Sequence, residues 1–305
     1  MCIKLLWSGF RMKNMLSQYY DLFPDKIYSK KGNIYFFIDD TKVTINRVNN
    51  SQLNEKEKNI KIIVKYFTNQ NKNISTVLKN KKDEFITKYK NNNYVLLKVN
   101  VIDKKITIDN LEENNITGDI ENNISNLEEK NIDEIEEKII EFNKEYTLIQ
   151  KTVDYFIGVA ENCVQLLKKS HEKGKLELKA NIDDIDRYNY EELNNPLNFE
   201  YICKEKSISN YIKYNIYKGT INYEEIEKII NDEKINIGLL YCYLLYPNYY
   251  LNDVMKIIKE IKKEACLNKY IINNNIFLEL MKYIYIRKKE NLNGISDLYW
   301  INICL

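Results

Sequence analysis

Histidine and glycine are both scarce in this sequence, with one histidine and eight glycines among 305 residues. The single histidine, His171, excludes metal sites built from several histidines and leaves one candidate for a histidine-assisted nucleophile or general base. Because the glycines are widely spaced, no GxGxxG turn or P-loop is present, which excludes a Rossmann enzyme and a P-loop NTPase. His171 lies in a lysine-rich helix end, where a cation interacts favourably with the helix dipole, so we interpret it as a structural residue.

Closely spaced cysteines and long apolar runs are also missing. The six cysteines include no CxxC pair, so we expect reduced, mostly buried thiols and no zinc site. No apolar run approaches the roughly 18 residues of a membrane-spanning helix, and no export signal is visible. The 46 basic and 44 acidic side chains nearly cancel, which does not favour nucleic acid or an anionic membrane as a partner. We expect a soluble, intracellular protein.

Residues 1–102 are predicted to form a β-rich N-terminal lobe. Two β-rich runs, Ile34 to Ile38 and Lys42 to Val48, flank the turn residues Asp39 and Asp40, which indicates a hairpin. Glu55 to Phe67 has apolar residues at helical spacing. Further strand-like runs follow at Ile74 to Leu78, Glu84 to Tyr89 and Tyr94 to Val101. The predicted order is therefore β-β-α-β-β-β.

The rest of the chain is predicted to be helical after a polar interval. Residues 103–131 are rich in Asn and Glu with little periodicity, which indicates a linker or insertion. Residues 132–305 form a predicted C-terminal helical lobe. Its clearest helix has apolar residues three or four apart from Ile149 to Leu167, and ends near Gly174. A small antiparallel sheet lobe with one helix, followed by a larger helical lobe, is an α+β architecture with the element order of a protein-kinase-like, two-lobed fold.

Phosphoryl transfer in that fold needs a strand lysine, a catalytic aspartate, a metal-binding asparagine and a later metal-binding aspartate. The strand lysine of such a lobe is expected near position 46, where this chain has Asn46. Asp184 and Asn189 satisfy an Asp-x4-Asn spacing, but the usual preceding histidine is missing. No aspartate occurs between Asp186 and Asp232. Within ordinary reach of Asp184, the acidic substitutes are Glu191, Glu192, Glu200 and Glu205.

Two segments resemble a known family. Val153–Gln165, VDYFIGVAENCVQ, resembles the DYYxGLAENAIQ signature of the YutH-type branch of the CotS-related spore coat proteins. Ile237–Tyr250, IGLLYCYLLYPNYY, is similar to that branch's RLLYARLLFPxHYF segment. The resemblance implies a fold related to aminoglycoside and choline kinases and a sporulation-linked, coat-associated protein. Two departures weaken the case for catalysis: Ser207 replaces an aspartate and Asn248 a histidine.

Helix burial explains the apolar residues of both segments but not Asp154, Glu161 and Asn162, whose role the sequence leaves open.

The main hypothesis is a pseudokinase of the spore coat, that is, a structural or interaction protein that is not an enzyme and that docks other spore coat proteins. In this reading the chain has no catalytic, cofactor-binding or metal-binding residues and no cofactor. The alternative is an active small-molecule phosphotransferase of the aminoglycoside or choline kinase type, with Asp184 as base and Asn189 and Glu200 as metal ligands. An unrelated cytoplasmic interaction protein is a third reading.

Overall fold

The structure is a computed structural model that describes residues 12–30, 33–50, 53–69, 75–99, 104, 106–113, 116–122, 132–134, 136–138, 146–170 and 174–292. His171 lies outside these residues. The chain divides into two compact units. The first, unit 1, comprises Met1–Thr107 and Asn189–Glu200, and the second, unit 2, comprises Ile108–Tyr188 and Tyr201–Leu305.

The elements follow the predicted order in outline. The strands are β1 (Tyr28–Lys30), β2 (Asn33–Ile38), β3 (Thr41–Val48), β4 (Thr76–Leu78), β5 (Thr87–Tyr89), β6 (Asn92–Lys98), β7 (Ile116–Asn122), β8 (Gly174–Ala180) and β9 (Phe199–Cys203). The helices are α1 (residues 12–20), α2 (Leu53–Asn69), α3 (Ile108–Glu113), α4 (Thr147–Ser170), α5 (Tyr190–Leu193), α6 (Lys204–Tyr217), α7 (Tyr223–Asn231), α8 (Ile237–Leu245), α9 (Asn248–Ile258), α10 (Asn268–Ile272) and α11 (Asn274–Arg287). Residues 132–134 and 136–138 are also helical.

Unit 1 is built on an antiparallel sheet in the order β1-β2-β3-β6-β4, with β5 also paired to β6. Strand alternation gives the sheet two apolar faces. On one face, Phe36, Val43 and Leu96 pack with helix α1. On the other, Val95 and Leu97 pack with Ile60 of α2. The predicted hairpin is confirmed, since Phe36 pairs with Val43 across β2 and β3.

Residues 189–200 belong to unit 1 because α2 holds them. The ring of Phe67 on α2 meets the ring of Phe199 edge-on, with centroids 5.8 Å apart. Lys56, also on α2, donates from Nζ to the carbonyl oxygen of Leu197 at 2.9 Å. A stretch distant in sequence is thereby anchored to the N-terminal sheet and helix.

Unit 2 is mainly helical, with the small sheet β7-β8-β9. All nine residues of α8 are buried, which fits a helix that is apolar on every side and lies inside a core. Helix α4 contacts α8 along its buried stripe; the Cys163 thiol donates to the carbonyl oxygen of Cys242 at 2.8 Å. The interval expected to be a linker or insertion, residues 103–131, contains α3 and β7. No described helix has both the length and the apolar character needed to cross a bilayer.

Two glycines of unit 2 differ sharply in what they require of the backbone. Gly158 lies inside α4, and nothing lies within 4 Å of where its Cβ would be. Gly219 follows α6 with φ +67°; its N–H donates to Ile216 and the N–H of Thr220 donates to Asn215, which is a Schellman helix end.

We therefore predict opposite effects of alanine at these two positions. Gly158→Ala lowers the conformational entropy of the unfolded chain, and the added methyl group meets no neighbour. It should therefore raise the free energy of unfolding by about 0.5–1 kcal/mol. Gly219→Ala places a side chain in the left-handed region and should lower it by about 1 kcal/mol. Urea unfolding of both variants measures this, and a destabilised Gly158→Ala would contradict the description of α4.

Candidate active site

The loop after β8 carries the aspartate singled out by the Asp-x4-Asn spacing. Asp184 has extended backbone dihedrals, and its side chain accepts a hydrogen bond from the N–H of Asp186 at 3.1 Å. It thereby caps the 3₁₀ turn Ile185–Arg187, in which Ile185 is buried. A short aspartate suits this position because its side chain reaches backbone donors two residues on. The cap fixes Asp184 at the beginning of a turn rather than on a mobile loop.

Lysines from further along the chain reach both oxygens of Asp184. Lys256 Nζ lies 2.9 Å from Asp184 Oδ2, and Lys262 Nζ lies 3.0 Å from Asp184 Oδ1. Lys262 also contacts Asp186 at 2.8 Å and Asp253 at 2.7 Å, so a single ammonium bridges three carboxylates. All these residues belong to unit 2. We call Asp184, Asp186, Asp253, Lys256, Lys262 and Lys269 the charged cluster.

Asp253 is the buried anchor of the charged cluster. Its side chain is 2% exposed, and it lies three residues before Lys256 on α9, so both project from one face of the helix. Lys269 Nζ approaches Asp253 Oδ2 at 2.9 Å, and the Tyr270 hydroxyl donates to the same oxygen at 2.8 Å. A buried carboxylate is tolerated only with such partners.

The lysines keep Asp184 ionised. Burial of Asp184 would raise its pKa, but hydrogen bonds from Lys256 and Lys262 outweigh this and lower the pKa to about 2. Burial of Lys262 favours its neutral form, yet hydrogen bonds to the three carboxylates raise its pKa. For Tyr270, burial and the nearby charge of Asp253 raise the pKa of the hydroxyl. At neutral pH Asp184 is an anion between two fixed cations.

A second network, of amides, supports the same loop. Buried Lys213 donates from Nζ to Asn248 Oδ1 at 2.8 Å, and Asn248 Nδ2 donates to Asn210 Oδ1 at 3.0 Å. Asn210 Nδ2 donates to Asn181 Oδ1 at 3.5 Å, and Asn181 Nδ2 donates to Asp183 Oδ2 at 3.4 Å. Asn248, noted in the sequence as the replacement of a histidine, therefore links α6 and α9 to the loop.

The third strand of unit 1 does carry a cation on the expected face. Asn46, where the lysine was expected, donates instead to Thr44 Oγ1 at 2.9 Å. Lys42 precedes Thr44 by two residues and Asn46 by four residues on β3, so the three side chains lie on the same face of the sheet. Its Nζ is 3.4 Å from Glu191 Oε1. Strand β3 therefore carries a lysine at Lys42, four residues before Asn46.

An aromatic group lies beside Lys42. The rings of Tyr28 and Tyr35 stack at 5.3 Å, and Phe37 meets Tyr35 edge-on at 5.9 Å. Tyr28 is 42% exposed and Phe37 47% exposed. Lys42 Nζ lies 5.7 Å from the centroid of Tyr35. Unit 1 therefore presents exposed aromatic rings next to an ammonium group.

The predicted metal ligands Asn189 and Glu200 belong to unit 1, whereas Asp184 belongs to unit 2. Asn189 belongs to unit 1, where its Oδ1 accepts from the N–H of Glu192 at 2.9 Å and caps α5. Glu200, also in unit 1, pairs with Lys56 at 3.0 Å. Glu205 in unit 2 is buried and accepts from the N–H of Asn236 at 3.0 Å.

A divalent metal does not fit these residues. Glu191 pairs with Lys42, and Glu192 accepts from Asn198 Nδ2 at 2.6 Å, so each acidic substitute has a partner. Cys203 ends β9, and burial together with the charge of Glu205 raises its pKa to about 12, so it stays a neutral thiol rather than a thiolate ligand. Across the described ranges, no group of three or more His, Cys, Asp or Glu is arranged to hold a metal ion.

The first resembling segment has its polar residues on the surface of α4. Asp154, Glu161 and Asn162 are all exposed on α4. Ser207, the replacement of an aspartate, is buried on α6. Exposure of the first three indicates solvation of the helix face as their role.

Solved structures of other proteins share this architecture. No protein-family model matches the chain, and no curated protein matches it in sequence. An aminoglycoside phosphotransferase from Alicyclobacillus acidocaldarius superposes with a TM-score of 0.53 at 8% identity, covering 89% of this chain and 94% of that one. Spectinomycin phosphotransferase APH(9)-Ia, in complex with ADP and spectinomycin, gives 0.53 at 10% identity over 88% and 94%. Its AMP-bound complex gives 0.53 at 10% identity over 88% and 95%.

The fold is that of the aminoglycoside phosphotransferases. The predicted α+β, kinase-like fold class is confirmed by these neighbours. The expectation that the chain is not an enzyme is contradicted by them, because all three are phosphotransferase structures. That expectation relied on a missing cation and a missing carboxylate pair. The missed residues, Asp253, Lys256 and Lys262, come from a part of the chain about 70 residues after Asp184, where no local motif marks them.

The depressed pKa of Asp184 predicts an acid-sensitive contribution to stability. A carboxylate with a folded pKa of about 2, below its ordinary 3.8, stabilises the fold fully above about pH 4 and loses this contribution as the pH falls through 2. Asp184→Asn should therefore reduce the loss of unfolding free energy between pH 4 and 2 by about 1–2 kcal/mol. Urea unfolding across this pH range measures it. Asp83→Asn, in unit 1 with an 80% exposed side chain, is the control, and equal slopes in the two variants would contradict the paired state of Asp184.

Proposed function

We propose that this chain is a phosphotransferase that moves the terminal phosphoryl group of a nucleotide to a hydroxyl group of a small molecule. The observation that carries the proposal is the ionised Asp184, held between Lys256 and Lys262 in a chain with the aminoglycoside phosphotransferase fold. A small-molecule phosphotransferase is the alternative that the sequence left open. Lys256 and Lys262 are cations that the sequence pattern did not indicate.

The charged cluster suits this chemistry. The acceptor hydroxyl oxygen forms a bond to the terminal phosphorus, the bond from phosphorus to the bridging oxygen breaks, and the nucleoside diphosphate leaves. The hydroxyl proton passes to the Asp184 carboxylate. With a pKa of about 2 this carboxylate is a weak base, so its main contribution is to orient the hydroxyl and accept the proton late. The ammonium group of Lys256 stabilises the negative charge of the phosphoryl group, and Lys262 offsets the charge of the neighbouring carboxylates.

Unit 1 offers groups suited to a nucleotide. The exposed rings of Tyr28 and Phe37 provide a stacking surface for a base, and Lys42 provides a cation on the neighbouring strand. Two of the structural neighbours are described with ADP or AMP bound. We infer that a nucleotide base stacks on this face of unit 1, beside Lys42.

The acceptor is proposed only by class. The neighbours are described as acting on aminoglycosides or spectinomycin, which carry several hydroxyl groups. We propose a small polyhydroxylated acceptor, because Asp184 needs a hydroxyl to orient.

Thermal melting and a transfer assay test the function. ATP at millimolar concentration should raise the melting temperature saturably, and incubation with pooled polyhydroxylated acceptors should release ADP. Asp184→Asn should lower turnover at least about 100-fold through loss of the oriented base while retaining the ATP-induced shift. Lys42→Met should weaken the shift itself.

The control is Asp83→Asn, which is exposed and remote in sequence from the charged cluster, and it should behave as the wild type. Absence of any nucleotide-induced shift would overturn the proposal, as would transfer activity that survives Asp184→Asn unchanged.

The spore coat association stays a prediction that follows from the two resembling segments. It concerns location and partners, and is compatible with enzymatic activity. A fluorescent fusion followed through sporulation in a spore-forming host should accumulate around the forming spore, and its coat-protein neighbours should be recovered by cross-linking. Diffuse expression in vegetative cells would contradict it.

A further inference from the structure

Kinase-type phosphoryl transfer ordinarily relies on divalent metal held by an asparagine and a later aspartate. Asn189 here uses its side-chain oxygen to cap α5, and no aspartate occurs between 186 and 232. The nearest acidic substitutes, Glu191, Glu192, Glu200 and Glu205, are engaged by lysines, amides or a backbone N–H. The residues therefore disagree with the metal that the fold implies.

The environment of Lys262 offers a physical reason for the disagreement. Its Nζ lies 3.0, 2.8 and 2.7 Å from oxygens of Asp184, Asp186 and Asp253. Three carboxylates converge on this one ammonium group, and carboxylate oxygens are also the ligands that hard divalent cations prefer. The distances are those of charge-assisted hydrogen bonds rather than of metal–oxygen bonds, which run from roughly 2.0 to 2.6 Å. The carboxylates of Asp184, Asp186 and Asp253, which we call the carboxylate cage, therefore surround the ammonium group of Lys262.

The charge balance agrees with this interpretation. Three aspartates and three lysines form the charged cluster, so its formal charges cancel. A metal-binding cage of aspartates would instead keep excess negative charge until the metal arrives. In the charged cluster, the positive charges that balance the carboxylates belong to lysine side chains of the protein itself. Only 16% of the Lys262 side chain is exposed.

We propose that the Lys262 ammonium takes the place of a divalent metal ion, so that phosphate groups bind beside Asp184 without magnesium. This inference deepens the proposed phosphotransferase function and rests on it. Lys256 and Lys269, each about one-fifth exposed, flank the cage and are the cations that an incoming phosphate can reach. Lys262 neutralises the carboxylates behind them, which would otherwise repel the phosphate.

The first experiment measures nucleotide binding by the wild-type protein in two conditions. ATP should raise the melting temperature to the same extent, within about 1 °C, in millimolar EDTA and in millimolar Mg²⁺. A shift seen only with Mg²⁺ would overturn this inference and leave the phosphotransferase proposal standing. Absence of a shift in both conditions would instead overturn the phosphotransferase proposal, and this inference with it.

The second experiment empties the cage. Lys262→Ala should expose three uncompensated carboxylates, so that Ca²⁺ at 10 mM raises its melting temperature by about 3 °C or more while the wild type does not respond. Calcium is the probe because its longer, flexible coordination fits the spacing best. Lys259→Ala, an exposed neighbour on the same stretch, is the matched control and should not respond.

If Lys262→Ala does not fold, Lys262→Met keeps most of the side-chain volume and serves in its place. Calcium-induced stabilisation of the wild type and the Lys262 variant alike would overturn the inference, because it would show that a metal binds independently of the ammonium group. A folded Lys262 variant that ignores calcium would also overturn it.

Discussion

A buried carboxylate on α9 sets the main constraint on unit 2. Asp253 is almost completely removed from water, and an unpaired charge there would be very costly. Its partners are Lys262, Lys269 and the Tyr270 hydroxyl, which come from the segment that follows α9. The same Lys262 reaches Asp184, so compensation of one buried charge positions the loop that carries the candidate catalytic residue.

The loop is held from two directions by different kinds of interaction. The charged cluster holds its aspartates through ion pairs, and the amide network extends from Lys213 through Asn248 to Asp183. Lys213 is itself buried and donates to the carbonyl oxygens of Tyr243 and Tyr246 at the end of α8. The core helix and the loop are therefore parts of one polar framework, and the candidate site depends on the packing of α6, α8 and α9.

The structural neighbours share only 8–10% of residues with this chain, so what is shared is an arrangement of sheet and helices. An arrangement of this kind is maintained by patterns of burial that many sequences satisfy. The chemistry can then be carried by residues at new positions. In this chain β3 carries Lys42 and Asn46 on one face, and lysines contact the acidic residues of the charged cluster.

The sequence by itself determined the class of fold, because alternation in β2 and β3 and helical spacing in α2, α4 and α8 are local consequences of side-chain burial. It also offered Asp184 as a candidate in the alternative reading, because the spacing to Asn189 is a local pattern. The tertiary structure alone decided the electrostatics of the site. Asp253, Lys256 and Lys262 lie about 70 residues from Asp184, and nothing in their neighbourhoods along the chain marks them. Coulomb interactions act through space, so the pairing of these charges exists only once α9 and the loop pack together.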